Sequence, residues 1–160
     1  MMKNKIYFNF ERILILFSIV YLPLSCREAN PPKALSVEIL GTWKLVSGLT
    51  ITGKDSAISV NTKNQSFIKI INKTHFSFLK HDLSGGKDSS SSYDSGGGRY
   101  SLKGNKYNEN LEYCQEREWE NHTFYFTINL NKDTLIQTGI EKIEKLNVNR
   151  LNIEKYIRIK

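Results

Sequence analysis

Cysteine is scarce in this 160-residue chain, at two residues, as are methionine, at two, and proline, at three. With only Cys26 and Cys114 available, at most one disulfide can form, and if Cys26 is acylated none can, so that packing must carry the stability. Long apolar runs are also missing. The longest uncharged apolar run, Ile13–Leu24, has 12 residues, short of the roughly 20 that a membrane-spanning helix needs. Helical periodicity is almost absent after residue 30, which argues against an α-helical domain.

Catalytic signatures are lacking too. The serines of residues 89–92 have no Gly-x-Ser-x-Gly elbow around them and read as a flexible loop. Gly96-Gly97-Gly98 is followed by no Lys-Ser/Thr and no helix start, so it is not a phosphate loop. His75 and His81 share one strand face by even spacing, with His122 or Asp82 as a conceivable third metal ligand. Phe76 and Phe78 mark the opposite face as the core side, which leaves both histidines in solvent. Glu109, Glu112, Glu116, Glu118 and Glu120 offer carboxylates for acid–base work, but most are expected to face water. Cys114 reads as a small buried hydrophobe rather than a nucleophile. No enzyme, no metal site and no cofactor is expected.

The net charge is +7, and removing residues 1–25 takes away three cations and one carboxylate, leaving +5. The basic residues are mostly single lysines among Asn and Glu, with no Arg-rich stripe. That argues against nucleic acid and for a mildly basic surface compatible with anionic lipid headgroups.

The N-terminus reads as an export address. Lys3, Lys5 and Arg12 precede the apolar run, and Ser25 places a small residue before Cys26. Leu22-Pro23-Leu24-Ser25-Cys26 resembles the lipobox of bacterial lipoproteins, with Pro23 standing where an aliphatic residue is usual. The resemblance implies cleavage after residue 25, a lipid on Cys26 and a polar, Pro-rich tether over 26–37. Acylation would make anchoring close to permanent, at about 0.8 kcal/mol per buried methylene. The expected location is the cell envelope: the periplasmic face or the cell surface, at the outer membrane.

Residues 38–160 form the expected folded domain. Segments rich in Ile, Phe, Tyr, Thr and Val alternate with Asn, Asp, Gly and Lys clusters, the pattern of many short strands. Strands are predicted over 40–47, 66–71, 75–80, 98–102, 106–113, 123–130, 134–139 and 151–159, with a long loop from Asp82 to Gly97. Any short helix, near 37–40 or 116–121, would be a lid or plug. Sequential hairpins favour an all-β, antiparallel, eight-stranded up-and-down barrel over a sandwich.

Gly41-Thr42-Trp43 on the first strand resembles the Gly-x-Trp signature of lipocalins and the wider calycin group. With Ile70–Phe76, Gly96–Glu109 and Glu154–Arg158, the span 38–160 is similar to bacterial lipocalin-like domains of unassigned function. The resemblance implies a calycin barrel with an interior cavity. It also implies that Trp43 and Arg158 stack to close one end, a structural rather than ligand-binding pair. Tyr156 stands where Trp is usual in that family.

Strand alternation places Tyr107, Glu109, Leu111 and Tyr113 on one face, with Phe124, Phe126, Ile128 and Leu130 on another, and Glu154, Tyr156 and Arg158 on a third. Tyr107, Tyr113, Phe126 and Tyr156 are therefore the cavity candidates, bordering a mostly apolar chamber with a few polar groups. The expected protein is a monomeric, lipid-anchored binder of a small hydrophobic or amphipathic molecule. The alternative is a filled barrel that serves as a structural or interaction protein.

Overall fold

A computed structural model describes residues 38–58, 63–87 and 92–160. The expected signal peptide (1–25), the lipidation site Cys26 and the tether up to residue 37 lie outside the described residues.

β-branched and aromatic residues at alternating positions produce nine antiparallel strands. They are β1 (Gly41–Thr52), β2 (Asp55–Ile58), β3 (Gln65–Ile71), β4 (His75–Asp82), β5 (Tyr93–Lys103), β6 (Lys106–Cys114), β7 (His122–Asn131), β8 (Thr134–Ile143) and β9 (Val148–Arg158). β3 pairs with β1, consecutive strands pair from β3 through β9, and β9 returns to β1 from Trp43↔Arg158 to Ile51↔Leu151. The result is a closed eight-stranded up-and-down barrel, which leaves few free sheet edges. β2 is an extra flap. β3 pairs with the first residues of β1, Gly41–Lys44, and β2 takes the same edge farther along, at Leu49–Thr52.

Two features depart from the sequence reading. The short β2 was not expected, and β5 begins at Tyr93, well inside the predicted loop. Ser95, Gly96 and Gly97 lack the bulky side chains that usually announce a strand. They are held instead from both sides, by Leu79, Phe78 and Ser77 of β4 and by Cys114 and Tyr113 of β6. Beside them lies a β-bulge, where Gly97 pairs with Tyr113 but Gly98 pairs with Leu111. At Gly98 a Cβ would sit 1.9 Å from the Asn110 carbonyl oxygen, so only glycine lets β5 approach β6 there.

Inward-facing side chains make one core, from Ile39, Trp43 and Leu45 at one end through Leu135, Ile128 and Tyr156 to Phe67, Phe76 and Phe124. The first end is shut. The Trp43 Nε1–H donates to the Ile39 carbonyl at 2.8 Å, and the Arg158 guanidinium lies 4.1 Å from the Trp43 ring centroid. Arg158 also donates through Nη1 to the Leu40 carbonyl at 2.6 Å and through Nη2 to the Glu38 carbonyl. Gly41, at φ +132°, leaves room for that guanidinium, since a Cβ would lie 2.8 Å from Nη1.

At the opposite end, Asp82 ties down the start of the β4–β5 connection. Its carboxylate accepts from the Ser84 hydroxyl and from the backbone N–H groups of Ser84, Gly86 and Ser92, at 3.0, 3.2 and 3.1 Å for the three amides. The Ser84 hydroxyl foremost, with these amides, lowers the Asp82 pKa to about 2. Because the folded pKa is depressed, the ordering is complete above the ordinary carboxylate range and is lost as pH falls through about 2. An NMR titration should place the Asp82 carboxyl midpoint there, and Asp82→Asn should abolish the matching shift of the Ser92 amide. A midpoint near the ordinary aspartate value would refute the tie.

Candidate ligand chamber

Between the plugged end and the open end lies a cavity of about 350 Å³. One part of its lining is apolar, with Phe67 from β3, Phe76 and Phe78 from β4, Leu111 from β6 and Phe124 and Phe126 from β7. Phe67 and Phe78 stack with centroids 5.7 Å apart, which fixes two of these rings.

Polar groups cross this apolar lining. Lys69 lies between Phe67 and Ile71 on the inward face of β3 and is only 2% exposed. Its Nζ donates to Glu109 Oε1 at 2.7 Å and to Gln137 Oε1 at 3.0 Å. The rings of Tyr156 and Phe76 face the same ammonium, with centroids at 5.4 and 5.6 Å. Burial raises the Glu109 pKa, and Lys69 opposes that shift without cancelling it. The buried Tyr107 hydroxyl faces the Glu109 carboxylate, and burial and that charge push its pKa well up. Its oxygen closes no hydrogen bond among the described residues.

A second polar group occupies the β8–β9 wall. Glu141 accepts from Arg150 Nε at 2.7 Å and from Asn152 Nδ2 at 3.0 Å, and burial raises its pKa. Asn152 is 6% exposed, and its Oδ1 has no hydrogen-bond partner among the described residues. Glu154 accepts the Tyr156 hydroxyl at 2.7 Å. Burial, with Glu154 second, pushes the Tyr156 pKa well above its usual value.

At the mouth, Lys80 pairs with Asp94 at 3.0 Å, and Arg150 lies 5.3 Å from the Trp119 ring centroid. Trp119 comes from a single 3-10 turn, Arg117–Trp119, inside the segment where the sequence suggested a lid or plug. Cys114 reaches the chamber as a half-buried thiol whose pKa is raised by burial, which keeps it protonated and weakly nucleophilic.

Of the four cavity candidates, Phe126 lines the chamber. Tyr107 and Tyr156 are buried below it, one step along their strands from Glu109 and Glu154 toward the plugged end. Tyr113 points outward and is 69% exposed. The bulge at Glu112 is the reason: the extra residue reverses alternation after Leu111, so Cys114 turns inward in place of Tyr113. Glu109 faces inward, on the face it shares with Tyr107 and Leu111, and the chamber carries more polar groups than the few anticipated. His75 and His81 are exposed on the outer face, as parity indicated.

Sequence reasoning passed over Lys69, Gln137, Glu141, Arg150 and Asn152. Parity was the available signal: Lys69 shares a face with Phe67 and Ile71, and Gln137 shares one with Leu135. Among the described residues, no three His, Cys, Asp or Glu side chains converge to hold a metal ion. Compared with known proteins, the chain matches no family model and no curated sequence. The finding that stands is a closed, antiparallel eight-stranded barrel whose interior opens at one end onto a mixed apolar and charged chamber.

Proposed function

We propose that the chain is an exported, lipid-anchored, lipocalin-like protein that holds one small amphipathic molecule in its barrel at the cell envelope. The observation that carries this reading is the chamber itself. It has about 350 Å³ of space, a Phe-lined wall and ionic groups both at its floor and at its mouth. Small-molecule sites combine those same ingredients, a concave apolar wall and a few placed polar groups. The lipobox-like Leu22–Cys26 and the Pro-rich segment after it support action close to a membrane.

Binding rather than catalysis suits the side chains available. Lys69 is held by Glu109 and Gln137, and burial keeps the Cys114 thiol protonated, so neither is poised as a nucleophile. The filled-barrel reading draws on that same Lys69 network, which bridges β3, β6 and β8 across the interior.

Native mass spectrometry of the full chain, purified in mild detergent, should reveal one co-purifying small molecule. Thermal melts against decanol, decanoate and decylamine should show stabilisation by at least one of them, scaling as RT ln(1 + [L]/Kd). A protein that stays ligand-free and unshifted by all three would favour the filled barrel.

A further inference from the structure

We infer that the β8–β9 side of the chamber is a receptor for a positively charged, hydrogen-bond-donating headgroup, an alkylammonium, with the alkyl chain packed along the Phe-bearing wall of β4 and β7. The inference rests on the chamber being a binding site, and it specifies the class of molecule bound.

The charge inventory is the first argument. Three buried or half-buried carboxylates, Glu109, Glu141 and Glu154, share the chamber with two cations, Lys69 and Arg150. Lys69 is paired with Glu109 and Arg150 with Glu141, each at 2.7 Å. Glu154 accepts a neutral tyrosine hydroxyl, so its charge has no cation against it among the described residues. Lys80 and Asp94 cancel each other at the mouth, and Glu116 adds another carboxylate to the lining. The three inner carboxylates also feel one another: Glu154 raises the pKa of both Glu109 and Glu141, after burial as the leading cause. An incoming cation would relieve that repulsion, and an incoming carboxylate would add to it.

Hydrogen-bond accounting supplies a second, independent argument. Asn152 Oδ1 is an acceptor in the lining, in a residue 94% buried, and it lacks a donor. A buried acceptor without a donor is costly and calls for one. Asn152 and Glu154 are two residues apart on β9 and therefore project from the same face of one strand. An ammonium has three N–H donors to offer such a pair and can stay off-centre among several acceptors. A metal ion demands tighter convergence of ligands than this wall provides. The surrounding rings suit the rest of the molecule, because an apolar chain can pack on Phe78, Phe124 and Phe126.

Three probes of equal chain length test the assignment: decylamine, decanol and decanoate, titrated into the full chain and followed by calorimetry. Decylamine should bind at least tenfold more tightly than decanol, and decanoate more weakly than both. In Glu154→Gln, whose amide oxygen can still accept from Tyr156, the advantage of decylamine over decanol should fall about tenfold. Decanoate binding at least as tightly as decylamine would overturn the headgroup assignment while leaving the chamber a ligand site. Equal losses for amine and alcohol in Glu154→Gln would also overturn it, because they would make Glu154 a structural residue. Binding of none of the three would instead sink the carrier reading on which the assignment rests. The ranking in the unmodified protein decides the matter even if the variant fails to fold.

Discussion

Lys69→Met is expected to destabilise the barrel by about 3–5 kcal/mol in urea unfolding at neutral pH, the range for removing one partner of a buried ion pair. The ammonium is the only cation bonded to Glu109 among the described residues, at 2.7 Å, and the Glu109 side chain is 9% exposed. Methionine matches the length of the aliphatic stem but leaves a carboxylate in an interior of low dielectric. Gln137 loses its donor in the same step. The deficit must depend on pH, and its sign follows from the direction of the shift. Burial already raises the Glu109 pKa, and losing Lys69 removes the interaction that lowers it. A carboxyl whose folded pKa is raised favours the folded state at low pH and loses that contribution as pH rises through the folded pKa. The Met variant should therefore lie closest to wild type near pH 4 and farthest above pH 7. Lys69→Met/Glu109→Leu should recover most of the loss, since an apolar pair of similar volume is often as stable as the ions it replaces. A loss under about 1 kcal/mol with no pH trend would mean that water solvates Glu109 in the folded state.

That pair also marks where the sequence could be read and where it could not. Strand identity came easily, because runs such as Thr123–Leu130 alternate strictly and end at Asn131-Lys132-Asp133. The plugged end was legible through Trp43 and Arg158, which the register sets directly opposite each other. What hid was local geometry that alternation cannot express. Tyr113 was assigned inward by counting in twos from Tyr107, and one bulged residue, Glu112, reversed the result. Asp94–Gly97 carries residues of low strand propensity and reads as a loop, although its pairing is set by the neighbours β4 and β6.

The chamber was misjudged for a different reason. Composition suggests that Lys, Glu and Gln belong in water, whereas parity puts Lys69, Glu109 and Gln137 inside with the buried apolar residues Phe67, Tyr107 and Leu135. Where the two signals conflict in a closed barrel, parity is the stronger one. A one-residue slip would expose Phe67 and Ile71 along with burying Ile68 and Ile70, and closure leaves the strand no way to avoid that exchange. A charged residue flanked at i±2 by buried aromatics or Ile is therefore the sequence mark of an ionic interior.

Trp43→Ala is expected to cost about 3–5 kcal/mol, the range for truncating a buried aromatic to a methyl group. Trp43 has no exposed surface, and its indole is the floor of the plugged end. Truncation leaves a void that β1, paired on both sides at Trp43, cannot collapse into, and it strands the Ile39 carbonyl that accepts the indole N–H. It also removes the surface on which the Arg158 guanidinium lies at 4.1 Å. Arg158 holds the Glu38 and Leu40 carbonyls, so the two residues act on the same short segment of chain. Arg158→Lys should then be more than a mild change, because an ammonium cannot lie flat on the indole and reach both carbonyls as the planar fork does. The double variant Trp43→Ala/Arg158→Lys should lose less than the sum of the singles, by about 1–2 kcal/mol, the coupling expected of a desolvated cation–π contact that also orients hydrogen bonds. Additive losses would mean that the indole and the guanidinium close the end independently. The ligand chamber supplies the control, since decanol affinity should survive Arg158→Lys if the plug and the chamber are separate layers of the barrel.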